Sequence, residues 1–429
     1  MKHIIIGNGP AGVVASETIR KADRDADITM IGDEPEPPYS RMALPYLLQG
    51  DIAEDGTYLR KDVGHFEGLR IKTVSGHVES VDTKGKQVKL KDGTTLPYDR
   101  LLIATGAHAT RPPVAGIDLP AVQTCWTLAD ARAIAARAKP GSRVLQIGAG
   151  FIGCIILEAL ATRGVHLTVV EMGDRMVPRM MTPIAGGMIR AWCEKKGVRV
   201  HTKARVVSIR PDMDRAGSVF VKLDSGDELP ADLVISAAGV KPSIAFLAGS
   251  HVATDVGVLV DDRLRTNVPD VYAAGDVAES TDFGTGERGI NAIQPNAVDQ
   301  GRVAALNMVG KETHFVGALA INVLQTLGLI SSSFGKWWGE IDGQSAEVVD
   351  KENFRYLSLQ FKDDVLIGAT SIGLTEHVGV LRGLIQSRRH LGPWKDELLR
   401  DPTRIMQASL AAAVAVGAEA PAAVLRTAR

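Results

Sequence analysis

Cysteine is scarce in this sequence: 429 residues hold three, Cys125, Cys154 and Cys193, far apart and with no CxxC or CxxxxC pair. That spacing excludes a disulfide framework and a local cysteine metal site. Charge of one sign is lacking too. Lys and Arg number 49 against 50 Asp and Glu, for a formal net charge of −1. A nucleic-acid partner needs a concentrated basic face, so none is expected. No window approaches roughly 18 uninterrupted apolar residues, which argues against a membrane span. The N-terminus enters the run His3-Ile4-Ile5-Ile6 at once, without a signal-peptide pattern. A cytoplasmic location is the expectation. His65, His108 and His251 lack metal-ligand spacing, so no metal site is assigned.

Glycine is plentiful, and its placement is informative. Residues 2–6 form a short apolar run that ends in glycines, as a buried parallel strand does. Residues 10–21 carry helical spacing and Ile28–Ile31 reads as a second strand, which gives a βαβ opening. Between them lies Gly7-Asn8-Gly9-Pro10-Ala11-Gly12. Gly7 permits a tight turn, Gly9 lets backbone approach a pyrophosphate, and Gly12 lets helix and strand pack closely. The free N–H groups of the helix start, with Pro10 and Ala11, attract the anion. Asp33 and Glu34 stand where an acid bonds ribose hydroxyls. The bland alternative is a βα turn that binds nothing.

The pattern recurs. Strand Arg143–Ile147 leads into Gly148-Ala149-Gly150-Phe151-Ile152-Gly153, a helix, and strand Leu167–Val170, with Glu171 after it. An acid there accepts from the adenosine ribose 2′-hydroxyl and repels a 2′-phosphate, so NAD is favoured over NADP. Arg175 would weaken that preference if it turned toward the ribose; its alternative is a surface ion pair.

Elsewhere, 71–103 alternates apolar and polar residues, with turn signals at Lys84-Gly85 and Asp92-Gly93, and reads as antiparallel strands. A second β-rich stretch is 198–235. Tyr356–Phe361 and Val365–Ala369 read as strands, 376–389 as a helix, and the Ala-rich 402–429 as partly helical. The run Val271-Tyr272-Ala273-Ala274-Gly275-Asp276 ends a small-residue strand in an acid placed to accept from a ribityl hydroxyl of FAD; the alternative is a loop aspartate in a turn. A helix beginning at Pro295-Asn296-Ala297 and running to about Met308 would offer its N-terminal dipole to flavin N1/O2 if the dinucleotide is FAD; the alternative is an ordinary core helix.

Both glycine loops, Tyr98-Asp99-Arg100-Leu101-Leu102-Ile103-Ala104-Thr105-Gly106 and Ala274-Gly275-Asp276 together resemble the pyridine nucleotide-disulfide oxidoreductase class of FAD/NAD flavoproteins over about residues 1–325. The resemblance implies an α/β fold with two Rossmann-like dinucleotide-binding domains. The FAD domain would comprise 1–108 and 245–325 and the NAD domain 109–244. An α/β interface domain at 326–393 and a helical tail at 394–429 would follow. It implies FAD contacts at Val78, Thr105, Gly106 and Ala297, besides the loop residues. It implies a return crossing at Ala238-Gly239-Val240-Lys241-Pro242, with Gly239 on the NAD side. Pro38-Tyr39-Ser40-Arg41 resembles the Pro-Tyr-x-Arg segment of NADH-dependent rubredoxin and ferredoxin reductases, where the arginine supports the adenosine end of FAD; the alternative for Arg41 is a surface ion pair.

Departures from the class are informative. No cysteine follows the first helix, and Met42 stands where coenzyme A-disulfide reductases carry a cysteine. A thioether forms no thiolate, so thiol-based reduction is not expected. By alignment, Tyr46 and Ile155 replace a lysine and a glutamate near flavin N5, and Trp126 replaces an arginine. Phe151 occupies the place of an aromatic that covers the nicotinamide; its alternative is core packing. No side chain is assigned as catalytic, because flavin N5 is the reactive centre.

The chain is therefore expected to pass electrons between NAD(H) and an iron–sulfur protein or subunit through FAD, as a homodimer or within a hetero-oligomer. Its length, the segment Asn353–Gly373 and the tail are similar to FAD/NAD subunits of iron–sulfur oxidoreductases of the phenylglyoxylate dehydrogenase and tungsten aldehyde oxidoreductase types. Trp337-Trp338, Trp394 and the tail are candidate docking residues. The alternatives are a stand-alone NADH oxidase or NADH:quinone reductase, and a slow-turnover flavoprotein for assembly or sensing.

Overall fold

A computed structural model describes residues 1–419. These form two compact units, one of Met1–Gly148, Ala159–His166 and Val206–Ala318, the other of Ala149–Glu158, Leu167–Arg205 and the residues from Leu319 onward.

In the first unit, five parallel strands lie in the order Val271–Ala273, Arg100–Ile103, Lys2–Ile6, Asp27–Gly32, Ile71–Ser75. Ile4, Ile5 and Ile6 and Leu101, Leu102 and Ile103 are buried, as covered parallel strands require. The first helix, Pro10–Ala22, starts on Gly9 with proline in its first turn. It buries Ala11, Val13, Ala15 and Ile19. These elements are where the apolar runs place them.

The stretch 71–103 needs correcting. Only Val78–Asp82, Gln87–Leu90 and Thr95–Pro97 pair antiparallel. Ile71–Ser75 and Arg100–Ile103 join the parallel sheet instead. Ile71–Ser75 is the edge strand, with most of its side chains at least partly exposed. Ile71 is buried and Val74 half-buried, with Lys72 and Thr73 exposed between them, so this strand does not alternate.

Two short connections, Ala107–Ala109 and Val240–Pro242, run antiparallel with His108 opposite Lys241. The second βαβ repeat is present as expected: Arg143–Ile147, Phe151–Thr162 and His166–Glu171. Its first strand pairs parallel with Leu233–Ser236, which pairs with Val122–Thr124. The helix Leu128–Arg137 opens on a capping box made by Thr127 and Asp130.

The second unit carries an antiparallel sheet in the order Ile321–Thr326, Leu329–Gly335, Val365–Ile372, Arg355–Lys362, Gln344–Asp350. It begins ahead of the boundary expected at 326. Phe334, Tyr356, Leu359, Phe361 and Ile372 fill its core, together with Leu381, Leu384 and Ile385 of the helix Val378–Ser387. The tail forms helices Trp394–Arg400 and Ile405–Glu419. Residues 420–429 of the expected tail lie outside the described residues. Among the described residues, no helix is long and apolar enough to cross a membrane.

Candidate functional site

The first glycine loop separates internal from external demands. Gly7 sits at φ +112°, and a Cβ there would lie 2.1 Å from the Ala104 carbonyl oxygen. A Cβ on Gly12 would lie 1.9 Å from the Gly7 oxygen. Both glycines are required by the protein's own packing. Gly9 differs: its φ is −75°, and among the described residues nothing beyond its two chain neighbours lies within 4 Å of an added Cβ. The absence of a side chain there serves space outside the protein. No side chain caps the helix Pro10–Ala22, so its first N–H groups stay available to an anion.

Two further pieces converge on this helix. Gly275, at φ +82°, would place a Cβ 3.2 Å from Ala11 Cβ and 3.5 Å from Ala297 Cβ. Its N–H donates to Gln300 Oε1 at 2.8 Å. Gly301 lies so close to the first helix that a Cβ would stand 2.5 Å from the Ala11 oxygen. The helix Gln294–Met308 is thus held against the glycine loop, with Asp276 beside both. Burial raises the Asp276 carboxyl above the ordinary carboxylate range, opposed by the charge of Arg41. This carboxyl has no hydrogen-bond partner among the described residues. A largely buried carboxyl without a donor fits a ligand that brings hydroxyls, as a ribityl chain does.

Glu34, Tyr39 and Arg41 form one closed network. Arg41 Nη2 donates to Glu34 Oε1 at 2.6 Å, and Nη1 donates to Tyr39 Oη at 2.8 Å and to the Trp126 carbonyl at 2.7 Å. The Tyr39 hydroxyl donates to Glu34 Oε2 at 2.6 Å and accepts from Leu128 N–H at 3.3 Å. The guanidinium lies 5.4 Å from the centroids of both the Tyr39 and Trp126 rings. Burial pushes the Tyr39 phenol upward, which keeps it neutral and donating. Each Glu34 oxygen keeps a second lone pair for a ribose hydroxyl. Asp33 is not part of this group: it is exposed, 3.7 Å from His77 Nδ1. The Val78 side chain is buried in the core, leaving only its main chain for a ligand. Thr105 Oγ1 donates to the Ser243 carbonyl at 2.9 Å, and Gly106 holds φ +62°.

In the second glycine loop, Gly148 sits at φ +97° and Gly150 again has nothing within 4 Å of an added Cβ. Glu171 is buried; its Oε2 accepts from Ala149 N–H at 2.7 Å and its Oε1 from Gly173 N–H at 2.6 Å. The carboxylate is thereby fixed, with lone pairs to spare. Arg175 donates to the carbonyls of Met181 and Pro178 and to Asp174 Oδ1, at 3.1, 3.0 and 2.7 Å. All three partners belong to its own loop. Phe151, Ile152 and Ile155 are half-buried in the first turns of the following helix, whereas Gly153 and Cys154 are buried. Gly239 holds φ +99°, and its carbonyl accepts from Thr110 N–H at 2.9 Å.

No described thiol is placed for redox chemistry. Cys125, Cys154 and Cys193 are free and buried. Burial pushes Cys125 and Cys193 up to about 12, and Cys154 well above its ordinary value. Met42 and Tyr46 are exposed. Sequence reasoning missed the linking role of Tyr39, the Gln300 contact to Gly275, and a Ser40–Gln294 hydrogen bond of 2.5 Å. The segment Pro38–Arg41 was the one local signal for them.

Residues 1–301 match the family described as pyridine nucleotide-disulphide oxidoreductase. The chain is 31% identical over 407 residues to the NADH-dependent phenylglyoxylate dehydrogenase subunit epsilon of Aromatoleum evansii, covering 94% of this chain and 96% of that one. It is 30% identical over 396 residues to the rubredoxin-NAD(+) reductase of Pseudomonas putida, covering 90% and 99%. The solved ferredoxin reductase for the CYP199A2 system of Rhodopseudomonas palustris superposes with a TM-score of 0.86 at 26% identity, covering 95% and 99%. With two glycine cradles and a match over most of its length, the chain belongs to the pyridine nucleotide-disulphide oxidoreductase family, as an oxidoreductase that uses FAD and NAD(H).

Proposed function

We propose that this protein passes electrons between NAD(H) and an iron–sulfur protein or partner subunit, with FAD as the carrier and no sulfur couple in between. One observation carries the reading. The cradle is built for a flavin dinucleotide, yet every described cysteine is a buried, protonated thiol and Met42 stands at the position for a nucleophilic one. Electrons must then leave by a route other than thiol exchange. The names of the two relatives, a subunit of an NADH-dependent dehydrogenase and a rubredoxin reductase, support the same class of partner.

The residues divide the work. Gly7, Gly9 and Gly12, with the N–H groups of Pro10–Ala22, receive the FAD pyrophosphate. Glu34 takes the adenosine ribose, and Arg41 supports that end. Asp276 takes the ribityl chain, and the N-terminus of Gln294–Met308 faces the pyrimidine edge. Gly148, Gly150 and Gly153 receive NAD, and Glu171 selects against a 2′-phosphate. At the position of Tyr46 the FAD-binding segment offers flavin N5 no charge. The bound flavin supplies hydride acceptance and electron release, and the protein supplies orientation and electrostatics. The domain division proposed is 1–108 with 245–325, 109–244, 326–393 and a tail, and the location is the cytoplasm.

Affinity capture of the tagged holoprotein from anaerobic extract tests the partner. A stoichiometric iron–sulfur protein is expected in the eluate. Recovery solely as an isolated homodimer with full turnover on small acceptors would refute it.

A further inference from the structure

Ala149, at the centre of the second glycine loop, is held from both sides by one short segment. Glu171 Oε2 accepts from its N–H at 2.7 Å, and the Val177 N–H donates to its carbonyl at 2.8 Å. Cys154 Sγ donates to the same oxygen at 3.6 Å. Both polar groups of Ala149 are thereby fixed. Val177 reaches that oxygen at a conformational cost. It lies at φ +48°, in the left-handed region that a β-branched residue rarely enters. Such a conformation persists only where its surroundings impose it. Here they do: Met176, Val177 and Met181 are buried, and the Met180 and Met181 N–H groups both donate to the Val177 carbonyl at 3.1 Å.

The far end of the segment is tied down as well. Thr182 caps the helix Pro183–Lys195, its Oγ1 accepting from the Ala185 N–H at 3.2 Å. The same hydroxyl donates to Tyr356 Oη at 3.0 Å. Tyr356, fully buried in the strand Arg355–Lys362, donates in turn to Oε1 of the exposed Glu347 at 2.7 Å. All of these residues belong to the second compact unit. The segment 171–182 therefore runs from the glycine loop to the antiparallel sheet and is pinned at both ends. We propose that this segment is a preset clamp that keeps the NAD loop in its binding shape, with Val177 as a positioning residue and Tyr356 as the anchor. The inference rests on the reading of residues 148–153 as the NAD cradle. Its logic is preorganisation: a loop ordered before its ligand arrives is spared the cost of ordering on binding.

Equilibrium dialysis of FAD-replete protein against NAD+, beside thermal melting of each variant, tests it. Val177→Pro removes the N–H and forbids a positive φ, so the NAD+ dissociation constant is expected to rise about tenfold with flavin content unchanged. Val177→Gly keeps the N–H and enters positive φ freely. It should melt lower, for its lost side chain, yet bind NAD+ within about twofold of wild type. Tyr356→Phe removes only the anchoring hydroxyl and should raise the constant about threefold. An unchanged constant in either Val177→Pro or Tyr356→Phe overturns the proposal. So does an equal loss of affinity in the Gly and Pro variants, which assigns the effect to side-chain packing. If Val177→Pro does not fold, Tyr356→Phe decides alone: the expected rise supports the clamp and no change overturns it. Wild-type protein that binds no NAD+ is a separate result, which removes the cradle reading itself.

Discussion

Arg41 shows how one side chain joins distant parts of the chain. Its guanidinium meets Glu34 and Tyr39 within its own segment and Trp126 from far along the sequence. Trp126 holds it twice, by a carbonyl and by the ring face, and its own Nε1–H donates to the Ala107 carbonyl at 2.7 Å. A cation on an aromatic face contributes about 0.5–2 kcal/mol. Trp126→Ala is therefore expected to weaken FAD retention about 3- to 30-fold, measured as the dissociation constant of FAD from apoprotein. Trp126→Phe keeps the ring face and should recover most of it. Equal losses in both variants would show that the stack is irrelevant. The position was visible in the sequence as a departure from the class arginine. Its contact was not, because a partner so far along the chain is supplied by tertiary structure alone. Arg175 was likewise ambiguous until its donors were seen on the carbonyls of its own loop.

At the scale of elements, the first glycine loop offers a sharp contrast. Gly12→Ala puts a carbon 1.9 Å from a backbone oxygen, so helix and strand must move apart. Overpacking of this kind costs about 1–3 kcal/mol. Apoprotein carrying it should melt several degrees lower. Gly9→Ala meets nothing among the described residues beyond its chain neighbours and keeps an ordinary φ, so apoprotein should melt as wild type does while FAD binding falls sharply. Equal melting of both apoproteins, or full flavin in Gly9→Ala, would contradict this division of labour. The loop was legible because strand, glycines, helix and acid each leave a local mark. The edge strand Ile71–Ser75 was misread because its parallel partner, Asp27–Gly32, lies far back in the chain and leaves no local mark.

For the whole molecule, His3 couples the central sheet to pH. It lies buried in the strand Lys2–Ile6, and neither ring nitrogen has a partner among the described residues. Burial, aided by the N-terminal ammonium, lowers its pKa from 6.5 to about 4. Protonation therefore favours the unfolded chain. The stability of neutral His3 is complete above pH 6.5 and is lost as pH falls from 6.5 towards 4. The shift corresponds to a loss of about 3 kcal/mol. His3→Leu should flatten this part of the pH–stability curve, measured by urea unfolding; an unchanged slope would assign the acid sensitivity elsewhere. The two dinucleotide repeats were legible in the sequence because each is a local βαβ unit. The antiparallel sheet begins at Ile321, ahead of the boundary at 326 that the family resemblance implied.

The central claim is that electrons pass through the flavin with no sulfur couple in series. Anaerobic titration of the oxidised holoprotein with NADH, followed by flavin absorbance, tests it most directly. A flavin alone takes two electrons, so bleaching should be complete at roughly one NADH per FAD. Uptake of a second equivalent would reveal a redox disulfide, and flavin that stays oxidised would deny the transfer altogether.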